Sequence, residues 1–177
     1  MTIVDRIEPI NDRQQQNVID TTHHYITRAA ELTQCKLSNI PVEFDLKGRA
    51  AGMYCVRGGR RWIRYNPYLF AKYFNDNLAQ TIPHEVAHYA IERVYGHRHV
   101  RPHGKEWRGL MQALGIANAS RTCEYDLAGI PQRLQSLHPY TCACTSYQLT
   151  SRRHNKIKRD GARYYCRQCQ QLLMPQA

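Results

Sequence analysis

No apolar run in this sequence approaches the ~20 residues needed to cross a bilayer. Its first ten residues carry Asp5 and Glu8 where a secretory signal needs an apolar stretch. Both absences argue against a membrane partner and predict a soluble, cytoplasmic protein. Neither an internal repeat nor a low-complexity segment is present, which excludes solenoids and compositionally driven disorder. Acids are scarce as well: 14 Asp and Glu stand against 25 Lys and Arg, a formal charge of +11. What remains is ordinary globular material, 42% hydrophobic and 10% aromatic over 177 residues, enough for one cored domain and a small appendage.

The excess charge is concentrated rather than spread. Lys47–Arg64 holds six basic residues and no acid, and Arg93–Arg108 holds five against Glu106. His138–Ala177 holds seven against Asp160. A merely solvated surface would intersperse both signs, so the distribution points to a polyanionic partner, nucleic acid. Tyr54, Trp62, Tyr65, Trp107, Tyr147, Tyr164 and Tyr165 lie among these bases, in keeping with surfaces that combine phosphate contacts with stacking, although several of them must be core residues.

Apolar residues recur at helical spacing over Asn11–Thr33 and alternate over Pro41–Lys47, predicting a helix and then a half-buried strand. "AGMYCV" and "RWIRY" flank Gly58-Gly59, a pair suited to the positive φ angles of a tight hairpin. Asn66-Pro67 reads as an N-cap with proline in the first helical position. A short helix follows, then a longer one from about Asp76 to Tyr95. Pro83 lies inside the longer one, where it removes a backbone donor and costs about 3 kcal/mol. It must kink that helix or mark where its regular part begins. Gly96 is suited to end it, and a further helix is expected over Gly104–Leu114.

Residues 83–107 read "PHEVAHYAIERVYGHRHVRPHGKEW", with five histidines. His84 and His88 lie one turn apart on one helix face, so both rings can reach one ion while Glu85 leans into the same cavity as a base. This is the zincin arrangement. A catalytic zinc takes three protein ligands and leaves a position open. The metzincin pattern fails, because Ile91 and Val94 occupy its glycine and histidine positions. Glu106, His97, His99 and His103 compete to be the third ligand. His97 and His99 follow the helix end too closely, whereas His103 opens the next helix after a loop long enough to reverse direction. The expected set is His84, His88 and His103, with Glu106 available to orient a ligand.

In the tail, Cys142-x-Cys144 and Cys166-x-x-Cys169 have 21 residues between them and read as a structural tetrahedral zinc site. A disulfide fits poorly in a reducing compartment. The single residue between Cys142 and Cys144 is one fewer than a knuckle usually has, and leaves His154 as a substitute ligand. Arg152, Arg153, Lys156, Lys158 and Arg159 occupy a loop between the pairs and are the expected nucleic-acid contacts. Cys35, Cys55 and Cys123 are expected to be buried, inert thiols.

"PHEVAHY", "HGKEW", "DLKGRAAGMY", "RYNPYL" and "YTCAC…RRHN…YYCRQC" together resemble the SprT family, whose eukaryotic branch is the DNA-dependent protease Spartan. The resemblance covers nearly the whole chain. It implies zinc on the three histidines, a catalytic Glu85, a zinc ribbon, and metallopeptidase activity on DNA-associated or DNA-crosslinked proteins.

The sequence therefore predicts an α+β chain. Its zincin-like domain, with a small antiparallel sheet, spans Met1 to about Leu137, and a basic zinc ribbon spans His138–Ala177. It would hold one catalytic and one structural zinc and act on protein or peptide, with "RWIRY" beside the cleft as the pairing strand. Two competing readings are a nucleic-acid-binding protein with purely structural metal, and a metal hydrolase acting on something other than protein. Glu85 weighs against the first, since a structural site has no use for a carboxylate that is not a ligand.

Overall fold

The computed structural model describes residues 6–96, 100–117, 124–132 and 136–176. They form two compact units, one running through Gln132 and the other comprising the residues beyond it. Both mix helices with small sheets, so the chain is α+β. Among the described residues no helix is long and apolar enough to cross a membrane.

The first unit opens with α1 (Asp12–Thr33), fixed by a reciprocal cap: Asn11 Oδ1 accepts from Gln14 N–H while Gln14 Oε1 accepts from Asn11 N–H. Val18, Thr22, Ile26 and Ala29 recur every three or four positions and are buried. Of the strand expected over Pro41–Lys47, only Val42–Glu43 forms, as β1. It runs parallel to β3 (Arg60–Tyr65) from the pair Val42–Ile63, and β3 stops two residues later at Tyr65, so β1 runs out of partner. β2 (Gly52–Arg57) pairs antiparallel with β3 through Gly58-Gly59, whose φ angles are 55° and 81°. The sheet order is β1-β3-β2. β3 is thus the central strand, and "RWIRY" is not the free edge that the sequence suggested.

Asn66 caps α2 (Pro67–Lys72) by accepting from the N–H groups of Tyr68 and Leu69. The long helix expected from Asp76 is three pieces: α3 (Phe74–Asp76), a π turn (Asn77–Thr81) and α4 (Ile82–Tyr95). The π turn closes Ile82 N–H onto Asn77 O immediately before Pro83. Pro83 then falls in the first turn of α4, where its missing N–H costs no helical bond. Buried Asn77 braces the turn, donating to Leu69 O and Tyr73 O and accepting from Thr81 Oγ1. α5 (Lys105–Ala113) follows and buries Trp107, Leu110 and Met111. One core joins these elements, including Ile63, Tyr65, Phe70, Val86, Ala90 and Trp107.

The second unit is a sheet of β4 (Leu137–Thr141), β5 (Ser146–Thr150) and β6 (Met174–Pro175), in the order β5-β4-β6, with α6 (Ser151–Asp160) between β5 and the last segment. Leu137, placed by sequence in the first domain, opens its first strand. Its buried core is Tyr140, Leu149, Cys166 and Leu173.

Candidate metal centres

α4 presents His84 and His88 one turn apart, and a tight turn brings back the third ring. His103 has φ 56°, a left-handed backbone, and Gly104 N–H closes onto Arg101 O at 2.9 Å. The three Nε2 atoms converge: 3.2 Å between His84 and His88, and 3.0 Å from His103 to each. A zinc bound tetrahedrally at ~2.05 Å sets its nitrogens ~3.3 Å apart, so the donor set fits one ion. Glu106 is not among the atoms that converge, and His97 and His99 lie outside the described residues.

Trp107, almost fully buried, forms the floor of this group. Its ring centroid lies 4.7 Å from those of His84 and His103 and 5.7 Å from that of His88, and its Nε1–H donates to His84 O. The sequence marks Trp107 as a core residue and as one of the aromatics among the bases, not as a partner of the histidines. The place of Trp107 in the first turn of α5, shortly after His103, was the available signal. Burial, with the rings of His84 and His103, pushes His88 down to about 3, so it stays neutral and keeps a lone pair to offer.

Glu85 is buried beside these rings and is not one of the converging donors. Burial pushes its carboxyl up to about 7, opposed by a 2.7 Å hydrogen bond from Tyr54 N–H to Oε2. That N–H points away from β3, so β2 is the strand whose free edge meets the site. A cavity of about 480 Å³ opens here, lined by Gly52, Met53 and Tyr54 on one side and by Val100, Pro102 and the histidines on the other. Arg61 grips Glu92 of α4, itself one of the lining residues, with two bonds of 2.8 and 3.0 Å, and Tyr54 Oη donates to the same carboxylate. No local pattern in the sequence announces Gly52, Tyr54 or this Arg61–Glu92 pair, which join residues about thirty positions apart.

In the second unit Cys142, Cys144, Cys166 and Cys169 bring their sulfurs within 4.8 Å of one another. Cys144 Sγ lies 3.5 Å from both Cys142 and Cys166, near the ~3.8 Å of a tetrahedral zinc–thiolate set. Cys166 receives the N–H groups of Cys169 and Gln168 and lies 3.0 Å from Tyr147 Oη. These contacts pull its thiol down to about 5, towards the ligating thiolate. His154 is elsewhere: its ring stacks on His138 at 3.9 Å and meets Tyr140 Oη through Nδ1. Cys35 and Cys55 are only partly buried, not core thiols, and Cys123 lies outside the described residues.

The basic clusters fare differently. Arg60, Arg61 and Arg64 find acids from other elements, Glu43, Glu92 and Asp45, that their own sequence stretch lacks. Arg152, Arg153, Lys156, Lys158 and Arg159 form not a loop but helix α6, ended by Gly161 at φ 64°. Helical spacing puts Arg152, Arg153, Lys156 and Arg159 on one face, with Lys158 turned away. Among the described residues none of the five is ion-paired.

Residues 13–127 match the SprT-like family, and residues 139–175 match the SprT-like zinc ribbon domain. Relatives named Protein SprT are similar over most of the chain. One from Vibrio parahaemolyticus is 39% identical over 132 residues, covering 75% of this chain and 76% of the relative. One from Yersinia pestis is 33% identical over 159 residues, covering 90% and 89%. One from Klebsiella pneumoniae is 31% identical over 160 residues, covering 90% and 92%. No solved structure matches.

Proposed function

The chain belongs to the SprT-like family, and on that premise we propose that it is a cytoplasmic zinc metallopeptidase acting on DNA-associated proteins. One observation carries the reading: three imidazole nitrogens converge while a buried carboxylate beside them stays out of the ligand set. Three ligands and a spare base suit hydrolysis, whereas a structural site would be closed by a fourth protein ligand.

When bound to His84, His88 and His103, zinc would lower the pKa of its water and polarise a substrate carbonyl. Glu85 takes the water's proton and later returns it to the leaving amine. Its Oε2 is engaged by Tyr54 N–H, so Oε1 is the oxygen left for that transfer. Trp107 holds the imidazoles in register and shields their inner side from water. The free edge of β2 offers backbone groups to an extended peptide, and the adjoining cavity takes a side chain. The Arg61–Glu92 pair ties the sheet to α4, which keeps that edge at a fixed distance from the histidines.

The four cysteines would hold a second, structural zinc, and the α6 face of Arg152, Arg153, Lys156 and Arg159 would contact phosphates. Incubating the zinc-loaded chain with a basic DNA-binding protein, with and without DNA, tests the proposal. Chelator-sensitive fragments absent from Glu85→Gln are expected. Intact substrate in every arm would favour a nucleic-acid-binding protein without peptidase activity.

A further inference from the structure

Gly52 has no backbone reason to be glycine, since it is not among the glycines with positive φ. Its surroundings give the reason instead. A methyl group on its Cα would lie 2.7 Å from Glu85 Cγ, 2.9 Å from Glu85 Oε1 and 2.8 Å from Thr81 Cγ2. Real side chains do not approach so closely, so a neighbour would have to move. Thr81 is poorly placed to yield: its hydroxyl is bound to Asn77 Oδ1 at 2.7 Å, and Asn77 is tied to two carbonyls of the preceding helices. The Glu85 side chain is held mainly by the 2.7 Å bond from Tyr54 N–H, two residues along the same strand.

We infer that Gly52 is a positioning residue for Glu85: its bare Cα lets the carboxylate lie against β2 and take the Tyr54 N–H. Strand and base are thereby fixed to each other. The bond anchors one carboxylate oxygen and so sets where the other points, and a side chain at position 52 would rotate the pair away together. The role rests on the peptidase reading for its consequence, but its geometry stands apart from it.

The test is Gly52→Ala in the full, zinc-loaded chain. Zinc content and KM should hold while kcat falls about 100-fold, the scale expected when a reacting group is displaced by an ångström. The Tyr54 amide proton resonance should shift towards its position in Glu85→Ala. Wild-type kcat together with an unmoved Tyr54 resonance would overturn the inference. Should Gly52→Ala prove too unstable for kinetics, thermal melting decides. The substitution should lower Tm in the wild-type background and lower it less in Glu85→Ala, where two of the three close contacts are gone and only that with Thr81 remains. An equal drop in both backgrounds would show that Glu85 is not what position 52 accommodates. Full activity in Glu85→Gln would sink the peptidase reading alone and leave the Tyr54 shift and the melting difference standing.

Discussion

The histidine centre and the cysteine centre depend on their surroundings in opposite ways. His84 and His88 ride on a helix whose Val86, Ala87 and Ala90 are fully buried, and His103 is backed by buried Trp107. That core would exist without an ion. The cysteines lie in a unit with four buried core residues, of which Cys166 is itself a donor. On the proposed reading the first centre would add metal to a finished structure, whereas the second would make metal part of the structure.

Chelation should separate the two most sharply. Structural zinc contributes about 10–16 kcal/mol in small zinc modules, far beyond what so small a core supplies. Backbone resonances of residues 139–175 should collapse to random-coil positions while those of α1 and α4 stay dispersed. A metal-free second unit that keeps its dispersion would break the comparison. At the first centre, Glu85→Gln should lose about 10²–10⁴ in cleavage rate yet keep both zincs and the wild-type Tm. Metal analysis and kinetics on one preparation check this.

Smaller effects sharpen the contrast. Glu92→Gln removes a charge-assisted pair, of a kind worth about 1.5–3 kcal/mol, from the scaffold around the histidines. Arg61 holds the Glu92 carboxyl below its ordinary range, so this stability is fully present above that range and fades as pH falls below it, through the lowered pKa of the folded state. Denaturant titrations should show wild type and variant well separated at neutral pH and converging in acid. Neutralising Arg152, Arg153 and Lys156 should leave fold and basal cleavage alone. It should flatten the salt dependence of DNA binding by about 0.9 in log–log slope for each phosphate that α6 no longer neutralises. An unchanged slope would make α6 a solvated face.

What could be read in advance was local. The Asn11 and Asn66 caps, the Gly58-Gly59 hairpin and the His84–His88 spacing each depend on a few adjacent residues. The misses were matters of distant partnership. β1 is short because β3 ends, and β3 is central because β1 pairs with it from some twenty residues earlier. The acids that neutralise Arg60, Arg61 and Arg64 come from other elements, so a stretch with no acid of its own still ended up paired. In the tail, only the helical face of α6 revealed which bases lie together.

The π turn at Asn77–Thr81 also bears on how the gene can change. It holds one residue more than a regular helical ladder needs, and each helical residue turns the chain by ~100°. Losing one residue there would swing His84, Glu85 and His88 off the cavity as a set, with their mutual spacing intact. The segment should therefore accept exchanges of letter at exposed Ala79 and Gln80, keep its buried Asn77 and Thr81, and tolerate almost no change of length.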